Sequence, residues 1–184
     1  MNTGLWVFVC GPSGAGKDSV INSARALAEH EPRVVFSRRI VTRTAAQGSE
    51  HDETSRAEFR HRRDTGDLAW HWEAHGHGYA IARDYARHVD LGRIVVVNGS
   101  REHAATVAHL PSVRTVLVTA PAPVVQDRLR SRAREDSAAI ERRMARNEAL
   151  TDLPADLRID NTGALEQSGA RLAHWLLALA HRRS

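Results

Sequence analysis

The chain of 184 residues has one cysteine, Cys10, and one lysine, Lys17. A lone thiol can form no internal disulfide, which predicts a reducing compartment and a small buried hydrophobe at position 10. Aromatic residues make up only 5% of the chain, and the arginines are scattered. The contiguous basic stripe with interleaved aromatics that marks a nucleic-acid binder is therefore missing. No apolar run approaches the roughly 18 residues needed to cross a bilayer, and the opening MNTGLWVFVC carries no basic leader. These deficits predict a cytoplasmic protein without nucleic-acid or membrane partners, and they leave the oligomeric state open.

What remains is the composition of a globular chain, 42% hydrophobic and 26% charged, of a length that suits one domain over residues 1–184. A net charge of +4 fits small anionic ligands such as phosphorylated metabolites. Every long basic side chain except Lys17 is arginine. A chain so biased would lose an ordinary surface lysine easily, so Lys17 marks a place where a compact ammonium is chemically wanted.

Leu5 to Cys10 (LWVFVC) reads as a strand buried on both faces. A helix follows from Lys17 to about Glu29, with Val20, Ile21, Ala24, Leu27 and Ala28 at helical spacing. Val34 to Phe36 reads as a second strand, Ser37 to about Asp52 as a loop, and Ser55 to Glu58 as a capping box opening a helix. Residues 67–81 suggest short strands and turns. Further strands are expected at Ile94 to Val97, Val113 to Val118 and Leu157 to Ile159. Helices are expected from Pro121 with Val124, Val125 and Leu129 inward, over about Ser137 to Leu150, and over Gly163 to Ala180. Strands alternating with helices predict an α/β fold with a parallel sheet covered on both faces.

Gly11, Pro12, Ser13, Gly14, Ala15, Gly16, Lys17, Asp18 and Ser19 lie between the first strand and the first helix, the context a phosphate-binding loop requires. Glycines let main-chain N–H groups turn toward phosphates, the helix start adds partial positive charge, and Lys17 reaches the β- and γ-phosphates of ATP. The usual Ser or Thr after the lysine is replaced by Asp18, with Ser19 next. Mg²⁺ is expected at Ser19, directly or through water, or with Asp18 taking part.

The chain resembles the guanylate kinase group of nucleoside monophosphate kinases. The resemblance rests on GPSGAGK, on Val41-Thr42-Arg43 with Glu50 after it, and on Gly66 leading to Tyr79. Arg128-Leu129 with Arg132, and Ile140 with Arg143, complete it over residues 7–161. It implies a three-layer P-loop kinase fold with an acceptor-binding insertion at about 37–82 and a lid at about 130–138. The features that suit guanine are changed. Trp70 stands where guanylate kinases place a glutamate against the base, Ala46 where a second arginine grips the GMP phosphate, and IVVVNGS lacks their acidic residue. A site built for a polar base loses discrimination heavily without such partners.

Those variant segments are similar to the ribose 1,5-bisphosphate phosphokinases of phosphonate catabolism: GPSGAGKDS, VTR with GSEH, LAWHWEAHGHGY, VNGSR and RLRSRARE. Ala80 departs from the glycine usual after the tyrosine. The resemblance implies transfer of the γ-phosphoryl group of ATP to a phosphate, giving 5-phospho-α-D-ribose 1-diphosphate, with ATP and the sugar phosphate as small-molecule partners. It assigns Lys17 to the ATP phosphates and Arg132 and Arg143, with Arg134 a further candidate, to a lid over the transferring group. Arg43 and Tyr79 are expected on acceptor phosphates, Ser100 and Arg101 at the ligand-facing end of a strand, and Glu50 and His51 on sugar hydroxyls. Asn161 to Gly163 would pass main chain near the adenine. Arg128, Arg130, Arg142 and Arg146 read as surface or structural arginines, and Trp70 and Trp72 as core and lid packing, with Trp70 also a candidate to fill the space of guanine. His71, His75 and His77 around Glu73 do not make a convincing metal set. Two other readings stay open: a kinase for a different nucleotide or phosphorylated small molecule, and a non-catalytic guanylate-kinase-like binding module.

Overall fold

The computed structural model describes residues 4–45, 50–74, 76–131 and 153–182. Strand β1 (Leu5–Cys10) is buried at all six positions, as its unbroken apolar run requires. It lies at the centre of a parallel sheet of order β2-β7-β1-β8-β9, where β2 is Val34–Phe36, β7 Ile94–Asn98, β8 Val113–Thr119 and β9 Leu157–Asp160. Alternate residues of β1 serve two cores. Leu5, Val7 and Val9 pack with Val20, Ile21 and Ala24 of α1 (Lys17–Leu27) and with Leu172, Ala173 and Leu176 of a helix over Leu165–His181. Trp6, Phe8 and Cys10 face the other way.

What they face is a second sheet that the sequence reading did not contain. Its order is β4-β3-β6-β5, with β3 Arg39–Val41, β4 His51–Glu53, β5 Leu68–Ala74 and β6 His77–Ala82. The loop expected over Ser37 to Asp52 is thus corrected: β3 runs inside it, antiparallel to β6 and parallel to β4, which begins at His51. Val41, Trp72, Tyr79 and Ile81 of this sheet share a core with Trp6, Phe8 and Cys10. Its other face, with Ile40 and Ala80, is covered by Phe59 of α2 (Arg56–Asp64), a helix capped by Ser55 as expected. Two seven-residue helices also went unread, α3 (Asp84–Asp90) and α4 (Arg101–Val107).

Helix α5 (Ala122–Ser131) starts where Pro121 and Pro123 predict and buries Val125. The helix expected over Ser137 to Leu150 lies outside the described residues. The last helix, α6 (Leu165–His181), packs its buried Gly169 against Ser23 of α1. No helix among the described residues is long and apolar enough to cross a membrane.

Leu172 has no exposed surface and joins α6 to β1. Leu172→Ala is expected to cost about 2–5 kcal/mol, the range for a buried leucine whose cavity collapses only in part. Urea denaturation measures it; a cost under about 1 kcal/mol would show that α6 contributes little to the core.

Candidate functional site

The phosphate loop leaves β1 at Gly11 and enters α1 at Gly16. Gly14 and Gly16 have φ of 85° and 84°, the left-handed region that favours glycine. At Gly16 a Cβ would also lie 2.4 Å from Asn161 Nδ2, so position 16 excludes a side chain twice over. The start of α1 has no side-chain cap, which leaves its first N–H groups to an anion.

Two residues outside the loop brace it. Asn161, buried at the end of β9, donates from Nδ2 to the Ala15 carbonyl at 2.8 Å. Arg128 of α5 donates to the Asn161 carbonyl at 3.0 Å and to the Ala15 carbonyl at 3.4 Å. Arg128 therefore ties the nucleotide side of the site together, and the side chain of Asn161 does as much as its main chain. Sequence reasoning missed both roles because the partners are more than a hundred residues apart in the chain.

Lys17 is half-buried at the loop's mouth. Burial pulls its ammonium below the ordinary lysine range; Asp18 opposes that, while the like charges of Arg39 and Arg101 add to it. Asp18 accepts a hydrogen bond from Asn98 Nδ2 at 2.6 Å, joining α1 to the end of β7. Arg101 opens α4, and burial lowers its pKa as well. Ser100 caps α4 by accepting from the His103 N–H at 3.1 Å. Cys10, also near Lys17 and Arg101, is a buried thiol pushed up to about 12 by desolvation and is inert at neutral pH.

The second sheet carries the other residues singled out from the sequence. Arg43 is exposed just past β3. His51, opposite Arg39 in the β3–β4 register, is buried, and its Nε2 has no hydrogen-bond partner among the described residues. Burial first, then the charges of Arg43, Arg39 and Arg38, hold its imidazole below the usual range. Glu50 turns toward α1, where Arg25 binds its carboxylate at 3.1 Å and Asn22 at 3.4 Å. Tyr79 is buried on β6. Arg132, Arg134 and Arg143 lie outside the described residues, as do Ala46 and His75. Among the described residues no group of three or more His, Cys, Asp or Glu is placed to hold a metal.

Aromatic rings form a cluster in the core between the two sheets. Trp72 stacks on Tyr79 at 5.7 Å and on His103 at 4.9 Å, with interplanar angles of 8° and 11°. Trp70 meets Trp6, Phe8 and His103 edge-on at 5.4–5.8 Å. His103 has no hydrogen-bond partner at Nε2 among the described residues, and burial lowers its pKa to about 4, so the cluster is neutral at physiological pH.

No family model matches the chain. A curated protein of Desulfomicrobium baculatum named ribose 1,5-bisphosphate phosphokinase PhnN is 40% identical over 174 residues, 93% of each chain. One of the same name from Rhodopseudomonas palustris is 41% identical over 162 residues, 87% of this chain and 81% of that one. In Cupriavidus necator, a bifunctional ribose 1,5-bisphosphokinase-thymidine phosphorylase is 39% identical over 178 residues, 29% of its own length. The crystal structure of guanylate kinase from Anaplasma phagocytophilum matches the fold with a TM-score of 0.70 at 22% identity, covering 96% of this chain and 86% of that one.

The unfolded chain binds a proton at His103 below about 6.5, whereas the folded one refuses it until about 4. The stability contributed by neutral His103 is complete above the unfolded value and is lost as pH falls through that window, at up to about 1.4 kcal/mol per pH unit for one proton. His103→Phe keeps a ring in the stack, and its urea midpoint should fall less steeply between pH 6.5 and 4 than that of the unaltered protein. Equal slopes would show that His103 is already protonated in the fold.

Proposed function

The chain belongs to the ribose 1,5-bisphosphate phosphokinase family, and on that premise we propose that it transfers the γ-phosphoryl group of ATP to the 1-phosphate of ribose 1,5-bisphosphate. The observation that carries the reading is identity near 40% with phosphokinases of that name over almost the whole chain. An oxygen of the 1-phosphate attacks the γ-phosphorus, the bond from that phosphorus to the β–γ bridging oxygen breaks, and ADP leaves. The product is 5-phospho-α-D-ribose 1-diphosphate.

An acceptor that is already an ionised phosphate needs no general base. The work of the protein is to hold two anions in line and to neutralise charge spreading over the transferring group. Lys17 and the N–H groups of the loop from Gly11 to Ser19 take the ATP phosphates. Arg43, exposed just past β3, takes an acceptor phosphate, with Tyr79 on another and Ser100 and Arg101 at the facing strand end. Glu50, tied to α1, closes the sugar side. Arg132 and Arg143 are proposed to cover the transferring group from the lid.

The first turn of α1 offers hard oxygen donors, with the Asp18 carboxylate exposed and steadied by Asn98. That suits Mg²⁺, a cation that keeps several of its waters. Ser19 or Asp18 would hold it, and when bound it neutralises phosphate charge.

The cluster of Trp70, Trp72 and His103 bears on the choice of acceptor. Trp70 puts an indole among other rings where guanylate kinases carry a carboxylate for the base. Guanine N–H groups placed there would lack the carboxylate that accepts their hydrogen bonds.

ADP release from MgATP should appear with ribose 1,5-bisphosphate and be absent with GMP, AMP or no acceptor. Lys17→Ala should lower kcat/KM by about 100-fold or more, the scale of removing one preorganised donor from a developing charge. Preference for GMP would overturn the acceptor reading, and ATP binding without turnover on any acceptor would favour a binding module.

A further inference from the structure

A second arginine that follows the first in guanylate kinases is replaced here by Ala46. Strand β3 carries an arginine to which sequence reasoning gave no role. Along β3 the side chains alternate: Ile40 packs with Phe59 and Ala80 under α2, while Val41 joins Trp72 and Tyr79 on the cleft side. Arg39 shares the face of Val41. Its guanidinium lies over the Tyr79 ring, 5.9 Å from the centroid, and lines the same cleft as Asp18, Asn22, Arg25, Glu50 and Asn98.

The surroundings do not use up that charge. The Arg39 Nε is buried and has no hydrogen-bond partner among the described residues. Of the two acidic groups whose fields reach it, Asp18 accepts from Asn98 and Glu50 is bound by Arg25 and Asn22. Arg43 and Lys17 are both close enough for like-charge repulsion with Arg39. Burial disfavours the charged guanidinium first; Asp18 and Glu50 oppose that and Arg43 adds to it, and Arg39 forms no ion pair among the described residues, so an anion at its unpaired Nε would be welcome. In the proposed reaction Lys17 serves the donor and Arg43 the acceptor, and the field of Arg39 reaches both.

The geometry points to Arg39 as a substrate-binding residue that grips the acceptor's reacting phosphate, supplying from upstream the guanidinium absent at position 46. The assignment rests on the acceptor proposed above. A planar fork suits a phosphate bidentately, and the Tyr79 ring beneath fixes its plane. The stiffness of a strand residue also explains why the chain uses arginine here and not on the following loop: a cation in a sheet is already oriented before substrate arrives.

The test separates the two substrates. Arg39→Gln should raise the KM for ribose 1,5-bisphosphate about 10-fold to 100-fold while moving the KM for ATP less than about twofold, and Arg39→Lys should recover part of the loss. A second measurement uses the unaltered protein. Its Arg39 Nε–H resonance, assigned by its disappearance in Arg39→Lys, should shift when ribose 1,5-bisphosphate is added without ATP. An unchanged acceptor KM in a folded Arg39→Gln, or an unshifted resonance at saturating acceptor, overturns the assignment while leaving the kinase reading intact. Absence of turnover with ribose 1,5-bisphosphate in the unaltered protein would overturn the kinase reading and this assignment with it. Should Arg39→Gln fail to fold, the resonance alone decides.

Discussion

Like charges held together where water is scarce are the constraint around which this molecule is built. Lys17, Arg39 and Arg101 each have their charged form disfavoured by burial, and the fields of Arg39 and Arg101 both reach Lys17. Left to itself such a cluster would separate or lose a proton. It is kept in place because each member sits on a different rigid element: Lys17 at the start of α1, Arg39 on β3 and Arg101 at the start of α4. Those elements converge only because the two sheets pack through Trp6, Phe8, Cys10, Val41, Trp72 and Tyr79. Apolar burial thus supplies the free energy that holds the cations near one another, and Asp18 supplies part of the opposite charge for Lys17 and Arg39.

Against that charge stands an aromatic cluster with none. Trp72, Tyr79 and the neutral His103 are stacked, with Trp70 edge-on to His103. The fold is the one that the guanylate kinase of Anaplasma phagocytophilum also has. This is the ordinary relation between fold and function: the fold carries the loop and the facing residues choose the partner.

Much of this was legible in the sequence, for physical reasons that differ by element. Leu5 to Cys10 announces a doubly buried strand because a central parallel strand needs apolar side chains on both faces. Gly14 and Gly16 announce the loop because they stand at positive φ. The lone Lys17 stands out by composition. Strand β3 was hidden because it has three residues, one of them charged, and its pairing with β6 depends on residues about forty positions away. Reading Ser37 to Asp52 as loop therefore concealed Arg39, although the alternation of Arg39, Val41 and Arg43 was there as a period of two. The brace from Arg128 and Asn161 to Ala15 was hidden for a similar reason: local pattern carries no trace of a contact between chain segments so far apart.

A site that gathers cations and enlists no base is built for an acceptor oxygen that is already ionised. Phosphorus NMR of a reaction with MgATP and ribose 1,5-bisphosphate tests this most directly, because it reads which oxygen was phosphorylated. Beyond the signals of ADP, a new pair of mutually coupled resonances from a diphosphate should grow while the 5-phosphate signal stays a monoester. A new uncoupled monoester signal instead would mean transfer to a sugar hydroxyl, and it would contradict the account.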